Sequence, residues 1–182
     1  MRIGNWLDLI QPAEPVAVAR AIAGETGLAT TIKWPNDILL QGKKVAGILT
    51  ELNAELDHIK YVILGIGVDV NLTPLDFPPD LRKIASSLKI ETGHDLARAE
   101  LAAAILRALE IEYGRIQSGH FPALREEWQG LCSTLGRNVS IRVGDRTARG
   151  RAESLDEDGA LLLRTEYGRL ERITGGDVTL AK

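Results

Sequence analysis

The chain has 182 residues, 45% of them apolar, which is enough to bury the core of one ordinary domain with at most one small additional module. Its 22 basic and 25 acidic side chains are spread along the sequence and give a net charge of −3, which argues against nucleic-acid or membrane-surface binding. No apolar stretch approaches the length of a membrane helix, there is no signal layout, and a single cysteine excludes an internal disulfide, so we expect a cytoplasmic protein.

The first part of the chain predicts one helix followed by a β-meander. Apolar residues at helical spacing after Pro15, with Gly27 as a natural stop, predict a helix over residues 14–26. Four β-rich runs follow, and the Gln41-Gly42-Lys43 segment is a tight connection between the second and third. These runs cover residues 30–34, 38–41, 44–53 and 60–72.

Two helices and a group of short strands complete the chain. Apolar residues recur every three or four positions between residues 101 and 116, Tyr113 among them, and predict a long helix from about 95 to 119, with a second over 122–131. Five short runs then predict a small closed barrel, at residues 139–143, 147–152, 160–165, 169–173 and 178–180, with turns such as Asp158-Gly159 between them. We therefore predict one domain at residues 1–133 and a second at 134–182.

The densest cluster of functional side chains is the sequence KWPND at residues 33–37. Pro35 cannot donate to a strand ladder, so the strand ends there and the neighbouring side chains point into a rim. The Asn36 carboxamide donates and accepts, which suits a purine edge, whereas an ionised Asp37 only accepts. Taken alone, the cluster favours a simpler explanation, an Asx-type turn in which both side chains bond only their own backbone.

Lys44 lies seven residues after Asp37, and a hairpin through Gln41-Gly42 would bring the two side chains close together. An ammonium group facing a pocket suits a carboxylate or an α-phosphate, and it can offset the negative charge that develops during acyl transfer to phosphate. The alternative is a solvated turn lysine like Lys43, which is the more common case for an isolated lysine.

The run GIGVDVN at residues 65–71 predicts a strand with one bare face. Alternation places Ile66 and Val68 on one face and Gly65, Gly67 and Asp69 on the other. Glycines on one face indicate that a flat ligand or another backbone approaches there, and a closely packed helix explains them equally well. Gly47 extends the same argument to the neighbouring strand.

Several common motifs are absent from the sequence. The glycine pair at 65–67 lacks the third glycine of a dinucleotide-binding fingerprint, and neither a P-loop nor a GxSxG turn is present. The three histidines are isolated from one another and from acidic residues at ligand spacing, so we expect no resident metal site.

Three motifs together resemble the biotin protein ligases: KWPND at 33–37, KKVAGILTE at 43–51 and GIGVDVN at 65–71. The resemblance continues through the long helix to the GGD at 175–177 and covers nearly the whole chain. It implies an α+β fold, with a mixed sheet like that of class II aminoacyl-tRNA synthetases followed by an SH3-like barrel. It also implies activation of biotin with ATP and Mg²⁺ to biotinyl-AMP, and transfer of biotin to a lysine of the biotin carboxyl carrier protein of acetyl-CoA carboxylase.

The resemblance assigns expected roles to residues of this chain. Lys44 resembles the lysine that contacts the biotin carboxyl and the phosphate, and Asp37 resembles the acidic group near the acceptor lysine, so these two are the expected catalytic residues. The expected biotin-binding residues are Lys44, Gly47, Gly65 and Gly67. The expected nucleotide-binding residues are Lys33, Asn36 and Asp69. The family usually has asparagine where Asp69 stands, and a carboxylate only accepts, so we expect weaker nucleotide affinity.

The sequence departs from the family before Lys33, where the N-terminal strands and the glycine- and arginine-rich biotin loop have no counterpart. Without that loop, arginine charge at the phosphates and exclusion of water from the acyl-adenylate are lost, so we expect weak or absent ligase activity for this chain alone. An open sheet edge favours a homodimer or other self-association. The helix-turn-helix of repressor-type members is also missing, so DNA binding is not expected.

Two other functions fit the same residues. One is a non-catalytic remnant that binds a carrier protein or a nucleotide through the barrel and the rim at Asn36. The other is a lipoate-type protein ligase, an acyl-adenylating relative, although the motifs at 34–37 and 65–67 favour biotin.

Overall fold

The structure, a computed structural model, describes residues 3–55, 58–157 and 159–180. The first part of these residues contains α1 (Ile3–Thr26), β1 (Thr30–Lys33), β2 (Asp37–Leu40), β3 (Lys43–Glu55) and β4 (His58–Val68). Helices α2 (Leu88–Thr92), α3 (Arg98–Gln117) and α4 (Phe121–Leu131) follow. The last part contains β5 (Asn138–Val143), β6 (Arg146–Leu155), β7 (Leu161–Thr165), β8 (Leu170–Ile173) and β9 (Asp177–Leu180).

The predicted meander is confirmed as the first sheet, in which β1, β2, β3 and β4 lie in this order and each pairs antiparallel with the next. The connection between β2 and β3 is a two-residue turn, with φ 49° at Gln41 and φ 80° at Gly42. Positive φ at both central residues matches the right-handed twist of the two strands, so the turn fixes their register. Parallel pairing occurs as isolated bridges, between Ile32 and Cys132 and between Lys44 and Ala85.

The first helix is longer than its sequence pattern predicts. It begins at Ile3 instead of residue 14, and both Pro12 and Pro15 lie inside it. The predicted start was too late because Pro15 is a preferred residue of the first helical turn. Residues 13–19 of α1 are all buried, and the helix contacts α3, α4 and the first three strands. No helix among the described residues combines the length and the apolar character needed to cross a membrane.

Helix α3 corrects the predicted apolar face at one position. Tyr113 is 52% exposed, whereas its neighbour Glu112 is only 1% exposed. The Glu112 carboxylate is buried because two arginines satisfy it: its oxygens lie 2.7 Å from Arg20 Nη1 of α1 and 2.7 Å from Arg115 Nη1. Both arginines also pair with Glu127 of α4. This network joins three helices, and buried carboxylates of this kind leave no apolar signal in the sequence.

Strand β4 ends at Val68, earlier than the predicted residue 72. The Asp69 N–H donates to the carbonyl of Val45 at 2.9 Å. The Asn71 side chain bonds the backbone N–H and carbonyl of Leu96, each at 3.0 Å. Asp69 therefore still pairs with β3 directly after the end of β4, whereas the Asn71 side chain is held by Leu96. The short helix α2 was not predicted; the Ser87 hydroxyl caps its start by accepting from the Ile90 N–H.

The five predicted strands near the C-terminus are confirmed as a second sheet, in the order β8-β7-β6-β5-β9, with each pair antiparallel. Asp158 of the predicted Asp158-Gly159 turn lies outside the described residues. Helix α4 links this sheet to the first part of the chain, since the Leu155 N–H donates to Gln129 Oε1 at 3.0 Å. One continuous cluster of buried apolar side chains extends from α1 through α4 into the second sheet.

The junction between the two sheets is bonded to the KWPND turn. The Trp34 N–H donates to the Thr134 hydroxyl at 3.0 Å, and the Ser133 N–H donates to the Ile32 carbonyl at 2.8 Å. Both Trp34 and Thr134 are buried, so these hydrogen bonds are shielded from water. The turn at the end of β1 is therefore held in place by the segment that enters the second sheet.

Helix α1 contains a buried carboxyl, Glu14, which is 4% exposed. The Thr50 hydroxyl donates to its Oε2 at 2.7 Å, while its Oε1 has no hydrogen-bond partner among the described residues. Burial raises the pKa of Glu14 from 4.5 to about 7, and the hydrogen bond from Thr50 offsets part of that rise. The protonated form therefore fits this site better than the carboxylate does.

We expect E14Q to be more stable than the unsubstituted chain near pH 8. Because the folded-state pKa of Glu14 lies above its ordinary value, its contribution is fully present below pH 4.5 and is lost as pH rises through about 7. A neutral glutamine keeps an acceptor for Thr50 and avoids that loss, a gain of about 1–3 kcal/mol. Urea unfolding of both chains at about pH 5 and pH 8 measures this difference in the free energy of unfolding. Equal free energies of unfolding near pH 8 would contradict the raised pKa of Glu14.

Gly150 in β6 is required by close contact with β7. A Cβ at this position would lie 2.8 Å from the carbonyl carbon of Arg164 and 3.1 Å from the Cα of Thr165. We expect G150A to lower the free energy of unfolding by about 1–3 kcal/mol, because backbone atoms cannot move aside cheaply. Gly130 in α4 has no atom within 4 Å of its added Cβ, so G130A is the control and should not destabilise. Similar decreases in the free energy of unfolding for G150A and G130A would contradict the explanation that close contact with β7 requires glycine at position 150.

Candidate functional site

A cavity of about 450 Å³ lies over the first sheet, on the face that α1 leaves free. Glu14 of α1 contacts Thr50 on one face of β3, and alternation places Gly47 and Leu49 on the other. The cavity contains most of the side chains and glycines that the sequence singled out. Its lining residues are Asn36, Asp37, Lys44, Gly47, Ile48, Leu49, Gly65, Ile66 and Gly67.

The floor of this cavity is main chain without side chains. Gly47 of β3 lies opposite Gly67 of β4, and Leu49 lies opposite Gly65. A Cβ added at Gly65 would meet only Leu49, at 3.6 Å, and one at Gly67 would meet only the Gly47 carbonyl, at 3.9 Å. No helix approaches these two glycines in the described residues, so a closely packed helix does not explain them. The glycines leave open space above the sheet instead.

Lys44 lies on the same face as these glycines because β3 contains one extra residue. Asp37 lies opposite Gly47, but Leu39 lies opposite Lys44, so the pairing with β2 passes over Val45. In a regular strand, residues three positions apart point to opposite faces. The bulge reverses that relation and brings Lys44 to the face of Gly47 and Asp37.

The ammonium of Lys44 forms an ion pair with Asp37 Oδ1 inside the cavity. A Cβ at Gly47 would lie 3.0 Å from Lys44 Nζ and 3.6 Å from Asp37 Oδ1, so the pair lies directly over that glycine. Lys33 approaches the other oxygen of Asp37, at 3.8 Å. The Lys44 side chain is 47% exposed, so an anionic ligand can reach its ammonium from the cavity.

A loop outside the sheet holds the backbone of Lys44. Its N–H donates to the Ile84 carbonyl at 2.8 Å, and its carbonyl accepts from the Ser86 N–H at 2.8 Å. Ala85 between them forms the parallel bridge with Lys44. The residue at the bulge therefore has its polar backbone groups satisfied by residues 84–86, which limits how far the main chain under the ammonium can shift.

Asn36 makes a different contact from the predicted Asx-type turn. Its Nδ2 donates to the Ile48 carbonyl of β3, and the Ile48 N–H donates to the Asn36 carbonyl at 3.2 Å. The explanation that Asn36 and Asp37 bond only their own backbone is therefore wrong. The Asn36 Oδ1 has no hydrogen-bond partner among the described residues, and this oxygen is available to a ligand.

Lys33 and Asp69 do not line the cavity but stand next to residues that do. Lys33 reaches Asp37, as described above, and Asp69 interacts electrostatically with Lys44. Partial burial raises the pKa of Asp69, and the positive charge of Lys44 opposes that rise. Asp69 follows directly after β4, and its N–H continues the pairing with β3 by donating to the Val45 carbonyl.

Three residues at the cavity were not predicted from the sequence: Ile48 and Leu49 line it, and Ala85 pairs with Lys44. Leu49 is 62% exposed although it is a large apolar residue, and it lies on the glycine face. The alternation of β3 around Gly47 was the signal that could have found it. In the described residues, no group of three or more His, Cys, Asp or Glu side chains is arranged to hold a metal ion.

Comparison with known proteins gives matches to both parts of the chain. The model of the biotin/lipoate A/B protein ligase family matches residues 10–69, and that of the biotin protein ligase C terminal domain matches residues 134–180. The bifunctional ligase/repressor BirA of Bacillus subtilis is 40% identical over 97% of this chain. The biotin--[acetyl-CoA-carboxylase] ligase of Paracoccus denitrificans is 33% identical over 76% of it. The chain spans 58% of the length of each of these two relatives.

Solved structures of the biotin protein ligase from Aquifex aeolicus share the fold. The apo structure has a TM-score of 0.84 and 28% identity, covering 99% of this chain and 77% of that chain. The complex with biotin and ATP has a TM-score of 0.80 and 26% identity, covering 97% and 72%. These likenesses confirm the expected α+β fold with an SH3-like C-terminal part. Together with the two family matches, they show that the chain belongs to the biotin protein ligase family.

Proposed function

We propose that this chain is an ATP-dependent biotin protein ligase that activates biotin to biotinyl-AMP and transfers it to a lysine of the biotin carboxyl carrier protein of acetyl-CoA carboxylase. The observation that carries the proposal is the Lys44–Asp37 ion pair, which lies in a cavity over the side-chain-free floor of Gly47, Gly65 and Gly67. The Aquifex aeolicus relative that shares this fold binds biotin and ATP. The Paracoccus denitrificans relative is named for acetyl-CoA carboxylase.

The glycine floor supports the binding of a flat ring system. Only backbone atoms of the neighbouring strand lie near the added Cβ of Gly67, so a ring can rest directly on the main chain. Leu49 stands exposed at one side of this floor and offers an apolar contact. Lys44 stands at the other side, where its ammonium can pair with the carboxylate of the ligand.

In the first half-reaction, a carboxylate oxygen of biotin attacks the α-phosphorus of ATP, and the bond from that phosphorus to the pyrophosphate oxygen breaks. Negative charge gathers on the α-phosphate oxygens while the new acyl phosphate bond forms. The ammonium of Lys44 is positioned to offset this charge, and Asp37 and residues 84–86 keep the lysine in place. Before the ligand binds, the ion pair with Asp37 holds the ammonium of Lys44 in the cavity. The ammonium must then move partly away from Asp37 to contact the ligand.

In the second half-reaction, the neutral amine of the carrier lysine attacks the acyl carbon, the bond to the AMP oxygen breaks, and the amine loses a proton. Asp37 is the carboxylate that lines the cavity, and it is the proposed contact for the incoming amine and the acceptor of its proton. Lys44 stabilises the departing phosphate, so one ammonium serves both steps.

Asn36, Lys33 and Asp69 are the proposed nucleotide contacts. The free Oδ1 of Asn36 can accept from the adenine amino group, since the Nδ2 of the same side chain is already used by the Ile48 carbonyl. Lys33 is close enough to Asp37 to place a second positive charge beside the phosphates. Asp69 carries a carboxylate, which only accepts hydrogen bonds when it is ionised, and partial burial raises its pKa.

Mg²⁺ enters this proposal as the ion that ATP carries. The described residues contain no group of three or more metal-binding side chains, so they do not form a protein cage for the ion. Mg²⁺ commonly keeps several waters and binds mainly through substrate phosphates, which fits this arrangement. The ion's chemistry is to neutralise phosphate charge.

We further propose that residues 1–133 form the catalytic domain and 134–182 the C-terminal domain of a cytoplasmic protein that binds neither DNA nor membranes. Self-association through β4 is also part of the proposal. This strand lies at an edge of the first sheet and exposes Tyr61 and Ile63.

A lipoate-type protein ligase is the second candidate. The family that matches residues 10–69 includes both biotin and lipoate ligases. The separate match of residues 134–180 to the C-terminal domain of biotin protein ligases favours biotin. Competition between the two acids for the same site distinguishes the candidates, because only the true substrate should displace labelled biotin at comparable concentration.

We expect calorimetry to show saturable binding of biotin to the chain, and K44Q to weaken it while K43Q does not. Lys43 is the matched control because it loses the same charge but lies outside the cavity, with its Nζ toward Glu91 at 3.9 Å. In transfer of labelled biotin to a carrier domain, K44Q should lower the rate by about 10²–10³-fold.

Equal effects of K43Q and K44Q on biotin binding would overturn the proposed role of Lys44. Binding of lipoate but not biotin would move the chain to the second candidate. Binding of carrier or nucleotide without any biotin binding would favour the non-catalytic remnant. The rate of the unsubstituted chain, compared with that of a longer relative, tests the sequence-based expectation of weak activity.

K44Q should also raise the pKa of Asp69 above its value in the unsubstituted chain. The charge of Lys44 holds that pKa down against the effect of burial, and glutamine removes the charge. Carbon-detected NMR titration of the aspartate carboxyl groups measures this shift, with K43Q as the control that should leave Asp69 unchanged. An unchanged Asp69 titration in K44Q would show that Lys44 does not face this loop.

A further inference from the structure

At its beginning, strand β6 of the second sheet is paired with only one neighbouring strand. It pairs with β5 along residues 146–151, but with β7 only from Gly150 onward, where Gly150 lies opposite Thr165. Residues 146–149 therefore have a partner strand on one side only. The other side of this segment is a strand edge.

Gly150 lies at the point where the two strands separate. The backbone of Arg164 crosses so close to Gly150 that an added Cβ would lie 2.8 Å from its carbonyl carbon. Past this crossing point, the turn between β7 and β8 diverges from β6. The space between them is a cleft of about 580 Å³, whose lining includes Arg146, Thr147, Arg149, Tyr167 and Arg169.

The polar backbone groups of Thr147 and Arg149 face this cleft. The Ala152 N–H donates to the Arg137 carbonyl at 2.9 Å, and its carbonyl accepts from the Gly136 N–H at 2.7 Å, so both groups of Ala152 point toward the β5 side. The pairing of residues 146–151 with β5 is regular, and successive residues alternate in direction. Thr147 and Arg149 therefore direct their N–H and carbonyl groups to the opposite side, toward the cleft.

This edge is open to solvent and positively charged. Thr147 and Arg149 are both exposed, and Tyr167 at the rim is 90% exposed. Arg146 pairs with Glu171, which also lines the cleft. Arg149 and Arg169 have no ion pair among the described residues, and one further carboxylate in the lining, Glu166, opposes them.

We propose that this cleft is a docking site for an extended, acidic peptide segment of another protein, which adds to β6 as a further strand. Alternating N–H and carbonyl groups at Thr147 and Arg149 match the backbone of another polypeptide, and main-chain hydrogen bonds supply the affinity in strand addition. Carboxylates on the incoming strand would meet Arg149 and Arg169 as charge-assisted contacts. Nucleic-acid phosphates only accept hydrogen bonds, so they would leave the carbonyl groups of the edge unmatched.

The test uses the full chain and a fluorescein-labelled peptide of nine residues in which glutamate and valine alternate. We expect saturable binding by fluorescence anisotropy, weakened about tenfold or more by R149E because a charge contact becomes a repulsion. R151E is the matched control: Arg151 lies on the same strand and face, but it is paired with Arg164 of β7 and lies outside the cleft. It should change the affinity by less than about twofold.

Two further measurements separate strand addition from simple charge attraction. Two peptides would be compared, one methylated at the odd-numbered backbone nitrogens and the other at the even-numbered ones. Only one of them should lose binding, because alternate N–H groups of a strand face β6. Hydrogen exchange should show the Thr147 and Arg149 amides becoming protected when the peptide binds.

Several outcomes would overturn the proposal: no binding up to about 1 mM peptide, where affinity would be too weak to matter; equal effects of R149E and R151E; or binding without protection of the two amides. Tighter binding of a single-stranded oligonucleotide, with the same loss in R149E, would assign the cleft to nucleic acid instead.

Discussion

The extra residue at Val45 in β3 determines on which face of the first sheet the Lys44 ammonium lies. Without this bulge, regular alternation would direct Lys44 and Gly47 to opposite faces, and Asp37 would face the glycine floor without its lysine partner. The two-residue turn at Gln41-Gly42 and the bonds from residues 84–86 fix the main chain on either side of the bulge. The cavity, its ion pair and the proposed chemistry all depend on this register.

The two faces of the first sheet differ: one packs into the core, and the other lines the cavity. On one face, Val45, Ala46 and Ile48 are buried, and α1 covers that side of the sheet. On the other face, glycines leave the main chain bare, and the charged residues stand around them. Because the two faces alternate along the same strands, each core residue of β3 also fixes the position of a neighbour that faces the cavity.

Much of this arrangement could be predicted from the sequence, because strands and bare faces have a period of two. The four strands of the first sheet and the five of the second follow from that pattern and from turn residues. The hairpin turn at Gln41-Gly42 also predicted that Lys44 approaches Asp37, but the shared face of the two side chains depends on the bulge. The bulge could not be predicted, since no residue type marks it. The end of β4 at Val68 was also missed. The burial of Glu112 was missed because arginines distant in the sequence determine it. The assigned roles of the individual residues and the division at residue 133 stay predictions.

The hydrogen bond from Trp34 to Thr134 joins residues a hundred positions apart in the chain. The rim of the cavity is thus held by the segment that leads into the C-terminal sheet. Fusing or replacing this segment would therefore also act on the main chain that places Asn36 and Asp37.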